Sequence, residues 1–320
     1  QHQHQQQHQH HQQQHNKNSD NDNNNTFLPN EIQHHILNEP GVAITYNFNV
    51  GKRKVVLHFV EYGSQTPNFD ADAKRVCALM HLVSMQTARS ACSATLNIYI
   101  YMTEFKKRFP TKKGEAIDAE HANTGMSYHC SKNNSVVVYR KEEWFKVLIH
   151  ELFHAMGLSF IDSDMPKEVD RGMQAMLRKM YSISHQVCIY ETYCEIWARI
   201  LNVVFDCFVD DHANPVYTGK PSNGNNPDLQ VFMECVMDGL HANARFAQQQ
   251  CVKLLRYIDI PYDVLANPNT SNCATVSKKY RENTNVFAYY VLTCVLLHSP
   301  NVFMSWCHRN NTLTHDKKGI

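Results

Sequence analysis

Residues Trp144 to Leu158 read WFKVLIHELFHAMGL, and this stretch decides the fold. Trp144, Phe145, Val147, Leu148, Ile149, Leu152, Phe153 and Met156 surround His150, Glu151 and His154. The pattern predicts a helix over 142–156, ended by Gly157 at a C-cap position. A helix this apolar is buried, and two unpaired imidazoles with a carboxylate inside a core are costly. A metal removes that cost. His150 and His154 stand one turn apart on the same face, so both reach one Zn²⁺ at ~2.0–2.1 Å. Glu151 then lies where a general base can take a proton from water beside the metal.

Downstream, Ile189 to Ala198 contains YETYCEIWA, with Glu191 and Glu195 four residues apart on an otherwise apolar predicted helix, 185–209. Two acids on one face of such a helix suggest one metal ligand and one partner that orients a ligand imidazole. Asp162 and Asp164 are alternative third ligands on a loop, and His185 is another. Cys188 and Cys194 lie near the same site and read as buried thiols.

Upstream, Val42–Asn49 and Lys54–Tyr62 are rich in β-formers around Gly51 and predict a hairpin. A helix follows over 69–89, then strands at TLNIYIYM (95–102) and SVVVY (135–139). Between them NTGMSY, Asn123 to Tyr128, predicts a short edge strand. Beyond the HELFH helix the pattern turns mainly helical, over 167–181, 228–257 and 277–298, with a loop at 261–272. The fold class is α+β: a mixed twisted sheet packed on the motif helix, followed by a mainly helical C-terminal half.

HExxH with a downstream ExxxE resembles the gluzincin branch of the zincin metallopeptidases. The resemblance covers roughly residues 42–210. It implies Zn²⁺, one per chain, held by His150, His154 and Glu191, with Glu195 behind a ligand histidine and Glu151 as catalytic base. It also implies an edge strand, here Asn123, Thr124, Gly125 and Met126, that pairs with a peptide or protein substrate. The family's transition-state stabiliser is a Tyr or His; Tyr181, His185 and Tyr190 are the candidates. A metzincin pattern fails, because Phe160 stands where its third His belongs. The motif run and the Gln/Asn-rich tract also resemble uncharacterised zincin-like proteins of large DNA viruses. The rival reading is a catalytically inactive zinc scaffold or structural protein, including one of a virion.

Residues 1–26 are almost wholly Gln, His and Asn and read as a disordered tail, holding six of the chain's 20 His in its first fifteen positions. The expected organisation is a catalytic domain over 27–214 and a helical subdomain over 215–320, with a break in the Gly-, Asn-, Ser- and Pro-rich stretch 215–227. Formal net charge is +1, so no basic surplus argues for nucleic acid, and the small cluster at Lys106–Arg108 and Lys112–Lys113 reads as a solvated loop. The longest apolar stretch, 286–297, is short of the ~20 residues a membrane span needs. Eleven Cys at irregular spacing with no CxxC read as free thiols in an intracellular, reducing compartment.

Overall fold

The computed structural model describes residues 28–63, 67–87, 91–160, 167–209 and 227–310. The Gln/His/Asn-rich tail, Asp162, Asp164 and the expected break at 215–227 lie outside or almost wholly outside the described residues.

The chain begins with helix α1 (Asn30–Asn38), then a hairpin of β1 (Val42–Val50) and β2 (Arg53–Glu61). Gly51 has φ +57, the left-handed conformation a two-residue turn demands. Next come α2 (Asp70–Gln86), β3 (Thr95–Tyr101), the single turn α3 (Ala119–Ala122), β4 (Gly125–Ser127) and β5 (Asn133–Val138). The sheet order is β1-β2-β3-β5-β4. β2, β3 and β5 run parallel, and the outer strands β1 and β4 pair antiparallel. The fold is therefore α+β with a five-stranded mixed open sheet.

One face of that sheet is covered. Val55, Leu57, Phe59, Leu96, Ile98, Ile100, Val136 and Val138 alternate inward and pack against α2 and the motif helix α4 (Trp144–Ala155). The polar members of the strands, such as His58 stacked on Tyr99 at 4.8 Å, take the opposite face.

Helices α5 (Lys167–Met180), α6 (Ile189–Val209), α7 (Pro227–Ile258), α8 (Tyr262–Ala266) and α9 (Thr270–Lys279) follow. A π-helical turn, Phe287–Leu292, then continues into α10 (Thr293–Leu297), and α11 (Pro300–Asn310) closes the described chain. These helices build a second core around Leu240, Leu254, Phe287 and Val291. Helix α6 serves both cores: Cys194 and Ala198 face the sheet side, while Ile196, Ile200 and Val203 face the helices. No single described helix is long and apolar enough to cross a membrane.

Two expectations are corrected. The single helix expected over 277–298 is broken, because Asn283 and Thr284 leave it to bond with Asp118 and Asn123. The cysteines are not all free thiols: Cys92–Cys130 and Cys207–Cys235 are disulfide-bonded, across 38 and 28 residues of sequence. Such bonds are not typical of the reducing compartment that the irregular spacing suggested.

Candidate metal centre

Helix α4 is stopped by a full Schellman arrangement. Gly157 N–H donates to His154 O at 3.0 Å and Leu158 N–H to Phe153 O at 2.8 Å, with Gly157 at φ +66. The Cys92–Cys130 disulfide packs against Gly157, so that a Cβ there would stand 3.1 Å from Cys92 Sγ. Ser93 Oγ and Asn134 Nδ2 donate to Ala155 O at 2.7 and 3.3 Å. The C-terminal end of the motif helix is thereby fixed to the loop before β3, to β5 and to the loop after β4.

His150, His154 and Glu191 converge, all buried. His150 Nε2 lies 3.1 Å from His154 Nε2 and 3.1 Å from Glu191 Oε2, and His154 Nε2 lies 3.5 Å from Glu191 Oε2. Tetrahedral zinc with bonds of ~2.0–2.1 Å sets its ligand atoms about 3.3–3.4 Å apart. The donor triangle matches that spacing, and two imidazoles with one carboxylate are a common zinc set, so the residues present fit the ion.

The surrounding charges hold these groups in place. His150 Nδ1 is 3.3 Å from Glu195 Oε2, an ion-pair distance whose alignment falls short of a hydrogen bond. Burial disfavours a charged His150, but Glu191 and Glu195 outweigh it and push its pKa up to about 10. Glu191 is likewise held well below the usual carboxylate range, burial being overcome by His154 and His150. Behind Glu195 stand Lys146 Nζ, 2.9 and 3.1 Å from its two oxygens, and Arg199 Nε at 2.9 Å. These cations offset its burial and keep it ionised.

Glu151 does not join the triangle. Its Oε2 accepts from Ser127 Oγ at 2.7 Å, and its backbone oxygen accepts from the same hydroxyl at 3.1 Å. Ser127 is on β4, the edge strand within the expected NTGMSY segment. Gly125, two residues earlier, lets β4 sit on the helix: a Cβ there would be 2.8 Å from Val147 Cγ1 and 3.1 Å from Glu151 Cγ. Asn123 and Thr124 precede β4, Gly125 and Met126 belong to it, and among the described strands it has a neighbour on one side only.

Of the three suggested stabilisers, only Tyr190 is beside the cluster, its ring 6.3 Å from His154. Tyr181 packs on Phe287 in the helical core, with ring centroids 5.3 Å apart. His185 stacks on Tyr280 at 5.1 Å and faces Glu282 at 3.4 Å. A residue that spacing did not reveal, Tyr289 on the π-helical turn, donates to Glu191 Oε2 at 3.1 Å, and its ring is 5.8 Å from His150. Burial and the nearby carboxylate Glu191 push its pKa well up, so the hydroxyl keeps its proton. Cys194 Sγ is 3.9 Å from His154 Nδ1, and the His129 ring 5.0 Å from that of His154.

A second group, Asp118, Glu120 and His121, also gathers ligand atoms, but Asp118 and His121 there form the reciprocal cap of α3. A cavity of about 430 Å³ lies away from both groups, between Met237, His241, Arg245 and the His298–Val302 corner.

No protein-family model, curated protein or solved structure matches the chain. The functional reading therefore rests on the site.

Proposed function

We propose that this chain is a zinc-dependent metallopeptidase of the gluzincin type, its sheet and motif helix forming a zincin-like frame. The observation that carries the reading is the convergence of His150 Nε2, His154 Nε2 and Glu191 Oε2 at 3.1–3.5 Å, with a separate carboxylate, Glu151, left for acid–base work.

Zn²⁺ held by His150, His154 and Glu191 would supply Lewis acidity toward water and toward the substrate carbonyl. Glu151 takes the proton of the attacking water and passes it to the leaving amine. Ser127 keeps the Glu151 carboxylate oriented through its 2.7 Å hydrogen bond. Tyr289 presents a protonated hydroxyl next to Glu191, suited to donate to charge that develops on the carbonyl oxygen. Glu195, anchored by Lys146 and Arg199, fixes the orientation of the His150 ring. The free edge of β4 pairs with the substrate backbone.

Zinc content of the full chain, measured beside Glu191→Gln and Glu151→Gln, tests the reading. The His-rich tail is common to all three proteins, so differences report the site. Glu191→Gln should carry one zinc fewer than the intact chain. Glu151→Gln should keep that zinc yet hydrolyse no peptide. Equal zinc in the intact chain and Glu191→Gln would refute the reading.

A further inference from the structure

Arg140 follows β5 and is 3% exposed. Its Nη2 donates to the backbone oxygen of Glu120 at 2.6 Å, and its Nε has no hydrogen-bond partner. No carboxylate stands at ion-pair distance from it among the described residues, and Glu142 and Glu120 act on it only from further off. Burial presses on the guanidinium, lowering its pKa, but Arg remains charged in proteins. A buried guanidinium whose Nε is unbonded and whose nearby carboxylates make no direct contact is costly, so this position can still take an anion at bonding distance.

Two more buried polar atoms without partners belong to residues flanking it, and its guanidinium carbon lies 5.9 Å from the Tyr139 ring centre. Tyr139 hydroxyl and Thr124 Oγ1 have no hydrogen-bond partner, and the two residues adjoin, since Tyr139 N–H donates to Thr124 O at 2.9 Å. The Tyr139 hydroxyl is pushed up by burial, drawn down by Arg140 and raised again by Glu151. It therefore lies within the electrostatic reach of both the proposed base and the unpaired cation.

In the same region the segment before β4 is tied to the helical half of the chain. Asn123 begins the segment that leads into β4, and its Oδ1 accepts from Thr284 Oγ1 at 3.1 Å. Ile117 pairs with Glu282 in a parallel bridge, and Asn283 Nδ2 donates to Asp118 Oδ1 at 2.6 Å. These bonds join the segment before β4 to the segment that leads into the turn carrying Tyr289. At the other end of β4, Tyr128 is 65% exposed. A strand laid along β4 meets a closed end near Asn123 and an open one near Tyr128.

We propose that this closed end receives the free C-terminal carboxylate of a peptide, held by Arg140 with help from the Thr124 and Tyr139 hydroxyls. The inference takes its ligand class, a peptide, from the peptidase reading, and it makes the enzyme one that works from a chain end. Guanidinium and carboxylate form paired, charge-assisted hydrogen bonds, which an amide cannot match.

The test is calorimetric binding to the full-length Glu151→Gln protein, so that bound peptide stays intact. The probes are N-acetyl-tetraalanine as the free acid, the same peptide as its C-terminal amide, and N-acetyl-Ala-Ala-Asp-Ala amide. The free acid should bind at least about tenfold tighter than either amide, the scale of one charged hydrogen bond. Adding Arg140→Gln should remove that difference, while Arg140→Lys, which keeps the charge but loses the fork, should retain part of it. Equal affinity for acid and amide, no binding of any probe, or a preference that survives Arg140→Gln would overturn the proposal. An Asp-containing amide that binds as tightly as the free acid would overturn the terminal assignment. Zinc content is scored separately: a protein without zinc that keeps the acid preference loses the peptidase reading and keeps this one.

Discussion

Tyr289 reaches across 98 residues of sequence to donate its hydroxyl to Glu191 Oε2 at 3.1 Å. This contact joins the mainly helical half of the chain to the His150–His154–Glu191 group. Tyr289→Phe removes the donor and leaves the three ligating side chains in place. Peptide hydrolysis should fall by about 10²-fold in kcat, the scale of losing one transition-state donor, with zinc content unchanged. Tyr190→Phe should have little effect, because among the described residues the Tyr190 hydroxyl makes no hydrogen bond to His150, His154 or Glu191. Full activity in Tyr289→Phe would remove this residue from the mechanism.

Glu195→Gln keeps the shape of the side chain but removes the charge that His150 Nδ1 faces at 3.3 Å. Zinc affinity should drop by about 10–100-fold, as for other partners of metal-bound histidines. A competition titration against a chromophoric chelator reads this directly. An unchanged affinity would show that Glu195 serves the helix packing alone.

Gly125→Ala places a Cβ 2.8 Å from Val147 Cγ1 and 3.0 Å from the Val137 carbonyl. Neither neighbour can retreat cheaply, one being backbone and the other packed in the core. The substitution should cost about 1–3 kcal/mol, visible as a lower urea midpoint. It should also shift β4 away from Glu151, so that KM rises even where the protein is fully folded.

Glu143 sits between Lys107, at 2.9 Å, and Lys146, at 3.9 Å. Burial opposes its ionisation, yet Lys146 and Lys107 lower its pKa from the ordinary 4.5 to about 2. A depressed carboxyl stabilises the fold fully above pH 4.5, and that contribution is lost as the pH falls through about 2. Lys107→Met removes the nearer ammonium, so the acid-unfolding midpoint should move to higher pH. A circular-dichroism titration that shows no movement would refute this coupling.

The clustering of His150, His154 and Glu191 was legible because their relations are local. HELFH places His150 and His154 together by helical repeat alone, and Glu191 and Glu195 repeat the same four-residue step. Lys146, four before His150, and Arg199, four after Glu195, carried the same signal and could have been read. The hairpin, the parallel strands and the edge strand followed from alternation and turn residues. Tyr289 was not legible, since its position depends on a π-helical turn packed against α6 and on the break at Tyr280. Arg140 was equally hidden, because a lone Arg after a strand looks solvated until its burial is known. The disulfides depend on tertiary approach over 38 and 28 residues, which irregular Cys spacing does not encode.

The Cys207–Cys235 bond ties α6, the helix of Glu191, to α7, with residues 210–226 between its ends. A protease that cuts once within that span leaves two fragments still covalently joined. On a gel without reductant the nicked chain would run as one species, and only a thiol would release the piece that carries Tyr289 and α11. Continuity of the backbone and continuity of the molecule are thus separate properties here.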